Sequence, residues 1–408
     1  MSDHTSYHDY NTWPYIVIDV ETGVHNKGEG AVGSMQASPF HPDNSIVLGG
    51  IKYNTMINPA IHDGANYLKA PADSLIHNHI FVGHNIKFDL LYFFKRYEGN
   101  KDIIDWLLNK ILIWDTMVVE YLITGQQEKF SSLDSLAKKY GGTLKDSNIK
   151  KYWEDGVDTE AIPIHELSSY LAEDIKNTEI IYLKQKEIVD KMPAMLSLVY
   201  MEMESLKDTI LAEWSGMYVN LNVLAENAQA LDKDLVNTEN ALKAIEPSIN
   251  WSSPIQLQAF LFGGTVKVGY TYVDTGERYK TGAKKGLPKL KKTLYEPNFL
   301  GYLLPIDPEN NSLITSRDTS DENLMYLFDL ISKLTIGWSH MWAHQLNLIA
   351  QIKNYRKLYK DFNTYYAGIA KLVWPNDSCV HANFNHTATD TGRLSCSSPN
   401  LQNITSAE

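Results

Sequence analysis

The sequence has few cysteines, no long apolar run and no excess of positive charge. Its 408 residues include only two cysteines, Cys379 and Cys396. They are too few for a disulfide framework and lie in no metal-ligand spacing, so a reducing cytoplasm is the expected location. The longest apolar stretches, such as residues 194–201, are far shorter than the roughly 18 residues that a membrane span needs. We therefore expect no membrane association and, from the polar N-terminus, no signal peptide.

The overall charge is acidic, with a net value of −12. That value argues against a uniformly basic nucleic-acid binder, but local patches can differ in sign from the whole chain. One such patch is residues 277–292, which hold seven Lys and Arg residues and one Glu. A composition that is 44% hydrophobic and 21% charged is ordinary for a globular protein, and the length suggests two or three domains.

The apolar pattern predicts an α/β domain followed by a mainly helical region. A short β-branched run at residues 15–20 predicts a buried strand, and 164–192 reads as a long amphipathic helix. The other predicted elements up to residue 192 are strands at 45–53 and 80–85, helices at 86–97 and 132–142, and a strand that runs into a helix over 111–123. Beyond residue 193, long helical patterns break near Gly216 and return at 321–370, around an irregular segment; residues 379–408 are polar and rich in turn formers.

Four acids in three separated motifs are the candidate catalytic residues. Asp19 and Glu21 alternate at the end of a strand, so both carboxylates share one face. Asp89 follows Asn85, and Asp174 follows Tyr170, each by four residues. Within the predicted helix at 164–192, this spacing puts the phenol of Tyr170 and the carboxylate of Asp174 on one face. A single motif of this kind is more often a solvated strand end or core packing, and the significance lies in the ordered set.

Clustered carboxylates indicate metal-dependent chemistry on a phosphodiester. Like charges at close range oppose ionisation, and hard cations prefer oxygen ligands. Two such cations about 3.5–4 Å apart can activate water and stabilise a leaving oxygen. We therefore expect two divalent metal ions, Mg²⁺ or Mn²⁺.

The motif set resembles the DEDD exonuclease superfamily, in the subgroup with tyrosine in its third motif. The segments VGHNIKFDL, WDTMVVEYLI, SLDSLAKKY and YLAEDIKNT agree with proofreading domains of a ribonuclease H-like α/β fold. The resemblance implies metal ligation by Asp19, Glu21, Asp89 and Asp174, positioning of water by Tyr170, and substrate contact by Asn85. The loop at 23–45 resembles phage polymerases more than bacterial ones, which places the protein in a host cytoplasm.

A second string, HTATDTGRLSCSSPNLQNI at 386–404, resembles the first polymerase motif of family A (DNA polymerase I-like) enzymes. It departs from that motif at Cys396 and Thr405, where Ser and Pro are usual. The resemblance implies that Arg393 contacts DNA near the primer terminus. It also implies supporting or backbone contacts by Thr391, Asn400, Gln402 and Asn403.

Segments that resemble family A polymerases also lie between these two regions. Residues 201–220 and 249–262 resemble the polymerase thumb, and 354–366 resembles a segment in which Arg356, Lys360, Thr364 and Tyr365 occupy matching places. The implied division is an exonuclease domain at 1–192, a thumb region at 193–375 with a basic insertion around 264–320, and the start of the palm at 376–408. In a thumb, the basic stretch 277–292 is either a solvated loop or a segment that follows DNA phosphates.

No segment resembles the palm aspartates or the fingers helix that family A polymerases need. We therefore expect a proofreading 3′→5′ exonuclease joined to half of a split polymerase, completed by a second polypeptide. Its DNA partners would be a single-stranded 3′ end and the primer–template duplex. The alternatives are a free-standing exonuclease with a remnant thumb, a truncated polymerase product, and a non-catalytic scaffold.

Overall fold

The computed structural model describes residues 6–24, 37–67, 77–143, 149–278, 287–303, 317–334 and 343–404. The chain divides into two compact units. Unit 1 comprises Met1–Asn220 with Leu372–Glu408, and unit 2 comprises Leu221–Lys371. The C-terminal segment thus folds with the N-terminal unit. The domain boundaries expected from the sequence, at 192 and 375, stay a prediction.

Unit 1 is built around a five-stranded mixed sheet in the order β3-β2-β1-β4-β5. The central strand β1 pairs antiparallel with β2 and parallel with β4, which pairs parallel with β5. The strands are β1 (Tyr15–Thr22), β2 (Ile46–Tyr53), β3 (Ala60–Asp63), β4 (His79–Gly83) and β5 (Ile111–Asp115). The strands predicted from the sequence are confirmed, with ends that shift by a few residues.

Helices cover the sheet of unit 1. They are α1 (Gly64–Tyr67), α2 (Lys87–Arg96), α3 (Lys101–Asp105), α4 (Thr116–Ile123), α5 (Leu133–Tyr140), α6 (Ile149–Glu154), α7 (Ile164–Val189) and α8 (Pro193–Ser215). A π-helical turn at Trp106–Lys110 and 3₁₀ turns at Tyr7–Asn11 and Thr159–Ala161 complete the connections. Helix α5 ends where predicted, because Gly141 adopts φ of 84°, a left-handed conformation that costs glycine little.

Helix α7 lies directly on the sheet because β2 has no side chain at one point. A Cβ atom on Gly50 would lie 2.1 Å from Ile175 Cδ1 and 3.3 Å from Leu171 Cγ, both in α7. On the opposite face of the strand, a Cβ on Gly49 would meet the ring of Tyr67. The paired glycines therefore allow close packing on both faces of β2.

Unit 2 is mainly helical, in agreement with the predicted fold class. Its helices are α9 (Leu221–Ile245), α10 (Pro254–Phe262), α11 (Asp321–Leu334), α12 (Ala343–Lys360), which continues into a π-helical turn (Asp361–Tyr366), and α13 (Ala367–Ala370). They pack around a core that contains Trp251, Leu257 and Ile352. No helix among the described residues is both long and apolar enough to span a bilayer.

Unit 2 also contains strands that the sequence did not predict. Strands β8 (Gly269–Arg278) and β9 (Pro288–Tyr295) form an antiparallel hairpin, and two short strands, β7 (Gly264–Thr265) and β10 (Asn298–Phe299), pair beside it. The hairpin includes most of the described part of the basic stretch. Lys280, Lys284 and Lys285 lie outside the described residues.

The C-terminal segment of unit 1 packs against α2 and α8. Its strands are β11 (Cys379–Val380), which pairs with β6 (Met217–Tyr218), and the paired strands β12 (Asn383–Asn385) and β13 (Ser395–Ser397). The buried Lys87 ammonium lies 2.5 Å from Glu213 Oε1 and donates to Asn383 Oδ1 at 2.8 Å. Glu213 Oε1 also accepts from the Phe384 amide at 2.6 Å. One buried ion pair therefore joins three parts of the chain.

We expect Lys87→Met to release the C-terminal segment from unit 1. The substitution leaves Glu213 buried without its cation, and breaking such a pair costs about 3–5 kcal/mol. Hydrogen exchange should accelerate in peptides that cover 379–397. The double variant Lys87→Met/Glu213→Leu removes both charges and should exchange more slowly than the single variant. Unchanged exchange at Phe384 in Lys87→Met would show that the ion pair does not hold the segment.

Candidate functional site

The end of strand β1 presents Asp19 and Glu21 on the face that helix α7 covers. In the antiparallel register Asp19 lies opposite Gly50, and Gly50 is the residue against which α7 packs. At the other end of the same face, the Tyr15 hydroxyl donates to Glu179 of α7 at 2.9 Å. The alternation of the strand therefore places both acids on one face, as predicted, and that face is the one that α7 covers.

Asp89 joins Asp19 at a shared backbone amide. The Val20 N–H donates to Asp89 Oδ1 at 2.9 Å and to Asp19 Oδ1 at 3.0 Å. Asp89 is buried in the first turn of α2. Burial, and then the charge of Asp19, raise the pKa of Asp89 well above its usual range. Two carboxylates that the sequence separates by 70 positions are thus neighbours.

Tyr170 and Asp174 come from the part of α7 nearest these acids. Burial raises the pKa of Tyr170, and the charges of Glu21 and then Asp19 raise it further. Its ring contacts Trp153 edge to face, with 5.8 Å between centroids. Asp174 lies one helical turn later and is buried. The phenol therefore lies in the field of the strand acids.

The donor chemistry of these side chains fits a hard divalent cation. All four acids offer carboxylate oxygens. Burial and then the charge of Asp19 raise the pKa of Asp89, and added positive charge would relieve the repulsion between the two carboxylates. Within the described residues, however, no group of three or more His, Cys, Asp or Glu is arranged so that it could hold a metal ion. The structure assembles Asp19 and Asp89 as a pair.

Asn85 occupies a tight turn that another acid holds in place. Asn85 has φ of 55° and an exposed side chain. The buried Asp115 accepts from the amides of Asn85 at 3.1 Å and Ile86 at 2.9 Å. It also caps α4 by accepting from Met117 N at 2.9 Å. Asp115 is not among the site residues predicted from the sequence, although an Asp between a buried strand and a helix is a usual N-cap signal.

A cavity of about 650 Å³ opens beside Asn85 within unit 1. Its wall includes Phe88 of α2, Phe130 before α5, and His386 and Thr387 from the C-terminal segment. The Thr387 hydroxyl is buried and has no hydrogen-bond partner among the described residues. The cavity thus combines apolar walls with polar groups, which is typical of ligand sites.

Some residues of the C-terminal motif are exposed to solvent, and others make hydrogen bonds that hold the motif in its conformation. Thr391 and Arg393 are exposed in the loop between β12 and β13. Asn400 caps a 3₁₀ turn (Leu401–Asn403) by accepting from the Gln402 amide at 3.2 Å. The Gln402 side chain donates to the Leu394 carbonyl at 3.1 Å. Asn400 and Gln402 therefore brace the loop that presents Arg393.

The two remaining predicted DNA contacts belong to unit 2. Arg356 is half-buried in α12, and its guanidinium donates to the Thr319 carbonyl and, at 3.0 Å, to the Thr319 hydroxyl. Burial lowers the pKa of Arg356. Lys360 is exposed at the end of the same helix. Arg356 thus joins α12 to the residues that precede α11, whereas Lys360 faces solvent.

Two protein-family models match separate parts of the chain. The model described as 3′-5′ exonuclease matches residues 6–190. The model described as DNA polymerase family A matches residues 337–408. The first match contains all four acids and Tyr170, and the second contains the C-terminal motif.

Curated relatives extend the likeness across most of the chain. DNA polymerase I of Bacillus subtilis is 26% identical over 306 residues, which are 71% of this chain and 27% of the relative. DNA polymerase I of Synechocystis is 27% identical over 301 residues, 72% of this chain and 24% of the relative. The thermostable DNA polymerase I of Thermus caldophilus is 51% identical over 57 residues, 14% of this chain and 7% of that protein. The matched part is thus about a quarter or less of these relatives' own length.

A solved structure has the same fold. The POL domain of Pol1 from M. smegmatis, in complex with DNA primer-template and dNTP, superimposes with a TM-score of 0.60 at 17% identity. The match covers 98% of this chain and 54% of that one. The two family matches and the relatives, independently of this likeness in fold, identify the chain as a region of a family A DNA polymerase that contains a 3′-5′ exonuclease domain.

Proposed function

We propose that this chain removes nucleotides from the 3′ end of single-stranded DNA as a proofreading exonuclease. The observation that carries the proposal is the convergence of Asp19 and Asp89 on one amide, with Tyr170 in the field of Glu21 and Asp19. The family match over residues 6–190 and the names of the relatives support the same activity.

Asp19, Glu21, Asp89 and Asp174 would hold two divalent metal ions, Mg²⁺ or Mn²⁺. When bound, such ions supply an activated water and stabilise the leaving oxygen of the terminal phosphodiester. The chain itself orients the reactants: the Tyr170 hydroxyl positions the attacking water, and Asn85 beside the cavity holds the terminal nucleotide. Carboxylates that repel one another without cations account for the ion dependence.

The C-terminal segment supplies the second part of the proposal. We propose that Arg393, Thr391 and Asn403 contact primer–template duplex, with Asn400 and Gln402 bracing the loop. Lys360 and Arg356 would contact DNA from the thumb region. A second polypeptide that carries the palm aspartates and the fingers would complete the polymerase. A cytoplasmic location and a phage origin belong to the same proposal and rest on sequence composition and the 23–45 loop.

The first expected outcome concerns the acids. Asp19→Ala with Glu21→Ala should reduce Mg²⁺- or Mn²⁺-dependent degradation of a 5′-labelled single strand by more than about 10³-fold, since loss of one electrostatic group already costs about 10²–10³-fold. The circular dichroism spectrum should not change. Glu173→Ala, which removes an acid next to Asp174 in sequence, is the matched control and should remain active. Full activity of the double variant would overturn the site assignment.

A graded effect is expected at Tyr170. Tyr170→Phe keeps the ring against Trp153 and removes only the hydroxyl that positions water, so the rate should fall by about 10²-fold or less. The rate of the Asp174→Ala variant should fall further, because this substitution removes a proposed metal ligand. Single-turnover rates at saturating Mg²⁺ compare the two variants. An equal loss in both would contradict the assigned roles.

Polymerisation should require the second polypeptide. Purified 1–408 should not extend a primer with dNTPs, and adding a chain with the palm aspartates and fingers should restore extension. In that complex, Arg393→Ala should lower extension by about tenfold or more, since a specific arginine contact to DNA is worth roughly 1–3 kcal/mol. Hydrolysis of single strands should be spared. Extension by 1–408 alone would refute the split arrangement.

A further inference from the structure

The hairpin β8–β9 in unit 2 exposes large apolar side chains on both of its faces. It has only two strands, and every residue except Pro288 and Lys289 is exposed. Tyr270 and Tyr272 are 61% and 62% exposed. A two-stranded hairpin in water is marginally stable by itself, and contiguous exposed apolar residues mark interaction sites. The hairpin therefore has the character of a binding element.

The strand register assigns side chains to each face. Tyr270 lies opposite Leu294, and Tyr272 lies opposite Lys292. Residues that face each other across an antiparallel pair share one face, so these four form a single surface, which we name the tyrosine face. Lys292 Nζ lies 4.0 Å from the centre of the Tyr270 ring, as this assignment requires. Lys291 is opposite Val273 on the other face.

The positive charge of the hairpin favours a polyanion as the partner. Its two strands hold four Lys and Arg residues against two acidic residues, in a chain whose net charge is −12. Within the hairpin, Lys289 lies 2.9 Å from Glu277, and Arg278 lies 3.8 Å from Asp274. Lys291 and Lys292 have no carboxylate partner among the described residues. Uncompensated lysines beside exposed rings match the phosphates and base faces of a nucleic acid strand.

We propose that the tyrosine face of the hairpin binds single-stranded DNA, with bases stacked on Tyr270 and Tyr272 and a phosphate at Lys292. Single strands fit better than duplex, because paired bases offer no free faces for the two exposed rings. The proposal rests on the proposed exonuclease function. It adds a surface that binds nucleotides of the same strand at a distance from the 3′ end that reacts. Long single strands should therefore bind better than short ones.

Direct binding measurements separate this proposal from the exonuclease activity. The probes are fluorescein-labelled oligo(dT) strands of 6 and 30 nucleotides, with full-length protein in EDTA so that hydrolysis does not occur. Tyr270→Thr/Tyr272→Thr keeps β-forming residues and removes both rings. Affinity for the 30-mer should fall at least tenfold, since stacking contributes about 1–3 kcal/mol per base. Tyr270→Phe/Tyr272→Phe restores the rings and should restore affinity.

The adjacent lysines provide the matched control. Lys292→Gln on the tyrosine face should lower the slope of log affinity against log salt by about 0.7, the value for one phosphate contact on a single strand. Lys291→Gln on the opposite face should leave that slope unchanged. Metal-dependent hydrolysis of the 6-mer should stay the same in all these variants. Its absence in the wild-type protein would count against the exonuclease proposal alone.

Three results would overturn the proposal. One is unchanged affinity of the threonine variant for the 30-mer at every salt concentration. Another is equal loss in Lys291→Gln and Lys292→Gln, which would indicate diffuse charge attraction without a tyrosine face. The third is normal single-strand binding by the threonine variant with loss of its binding to duplex or to the second polypeptide.

Discussion

The candidate site depends on the close approach of helix α7 to strand β2 at Gly50. A Cβ atom there would lie 2.1 Å from Ile175 Cδ1, so the Ile175 side chain could not keep its present position. Farther along α7, Glu179 contacts Lys52 and Tyr15, which fixes the direction of the helix along β1. With both points fixed, the turn that carries Tyr170 and Asp174 lies at the acidic end of β1. The absence of a side chain at Gly50 thus allows the close packing of the helix that carries Tyr170 and Asp174.

The start of helix α2 holds three separate interactions within five residues. Asn85 lies in a turn held by Asp115, Lys87 is paired with Glu213 of α8, and Asp89 meets Asp19. Since Lys87 also donates to Asn383, the C-terminal segment is fastened to the helix that carries an acid of the site. Displacement of that segment would remove contacts of Lys87, which lies two residues before Asp89.

Charge is distributed unevenly along this acidic chain. In unit 1, burial and then the charge of Asp19 raise the pKa of Asp89, and such neighbouring carboxylates favour the binding of cations. The hairpin of unit 2 has the opposite sign, with Lys291 and Lys292 exposed among tyrosines. Net charge alone argues only mildly against nucleic acid as a partner, because local patches can differ in sign from the whole chain.

The sequence by itself determined the main strands and helices of unit 1 and the pattern from which the four acids are predicted, because strand alternation and helical spacing are local properties. The predicted helix at 164–192 is α7, and the run at 15–20 is the core of β1. Only the tertiary structure decided that Asp115 holds the Asn85 turn, that Gly50 admits α7, and that the basic segment forms a hairpin. These features depend on contacts between distant residues, such as the amide of Val20 and the carboxylate of Asp89, 69 positions apart. No local pattern encodes which remote side chain will fill a given space, since packing selects it only when the chain has folded.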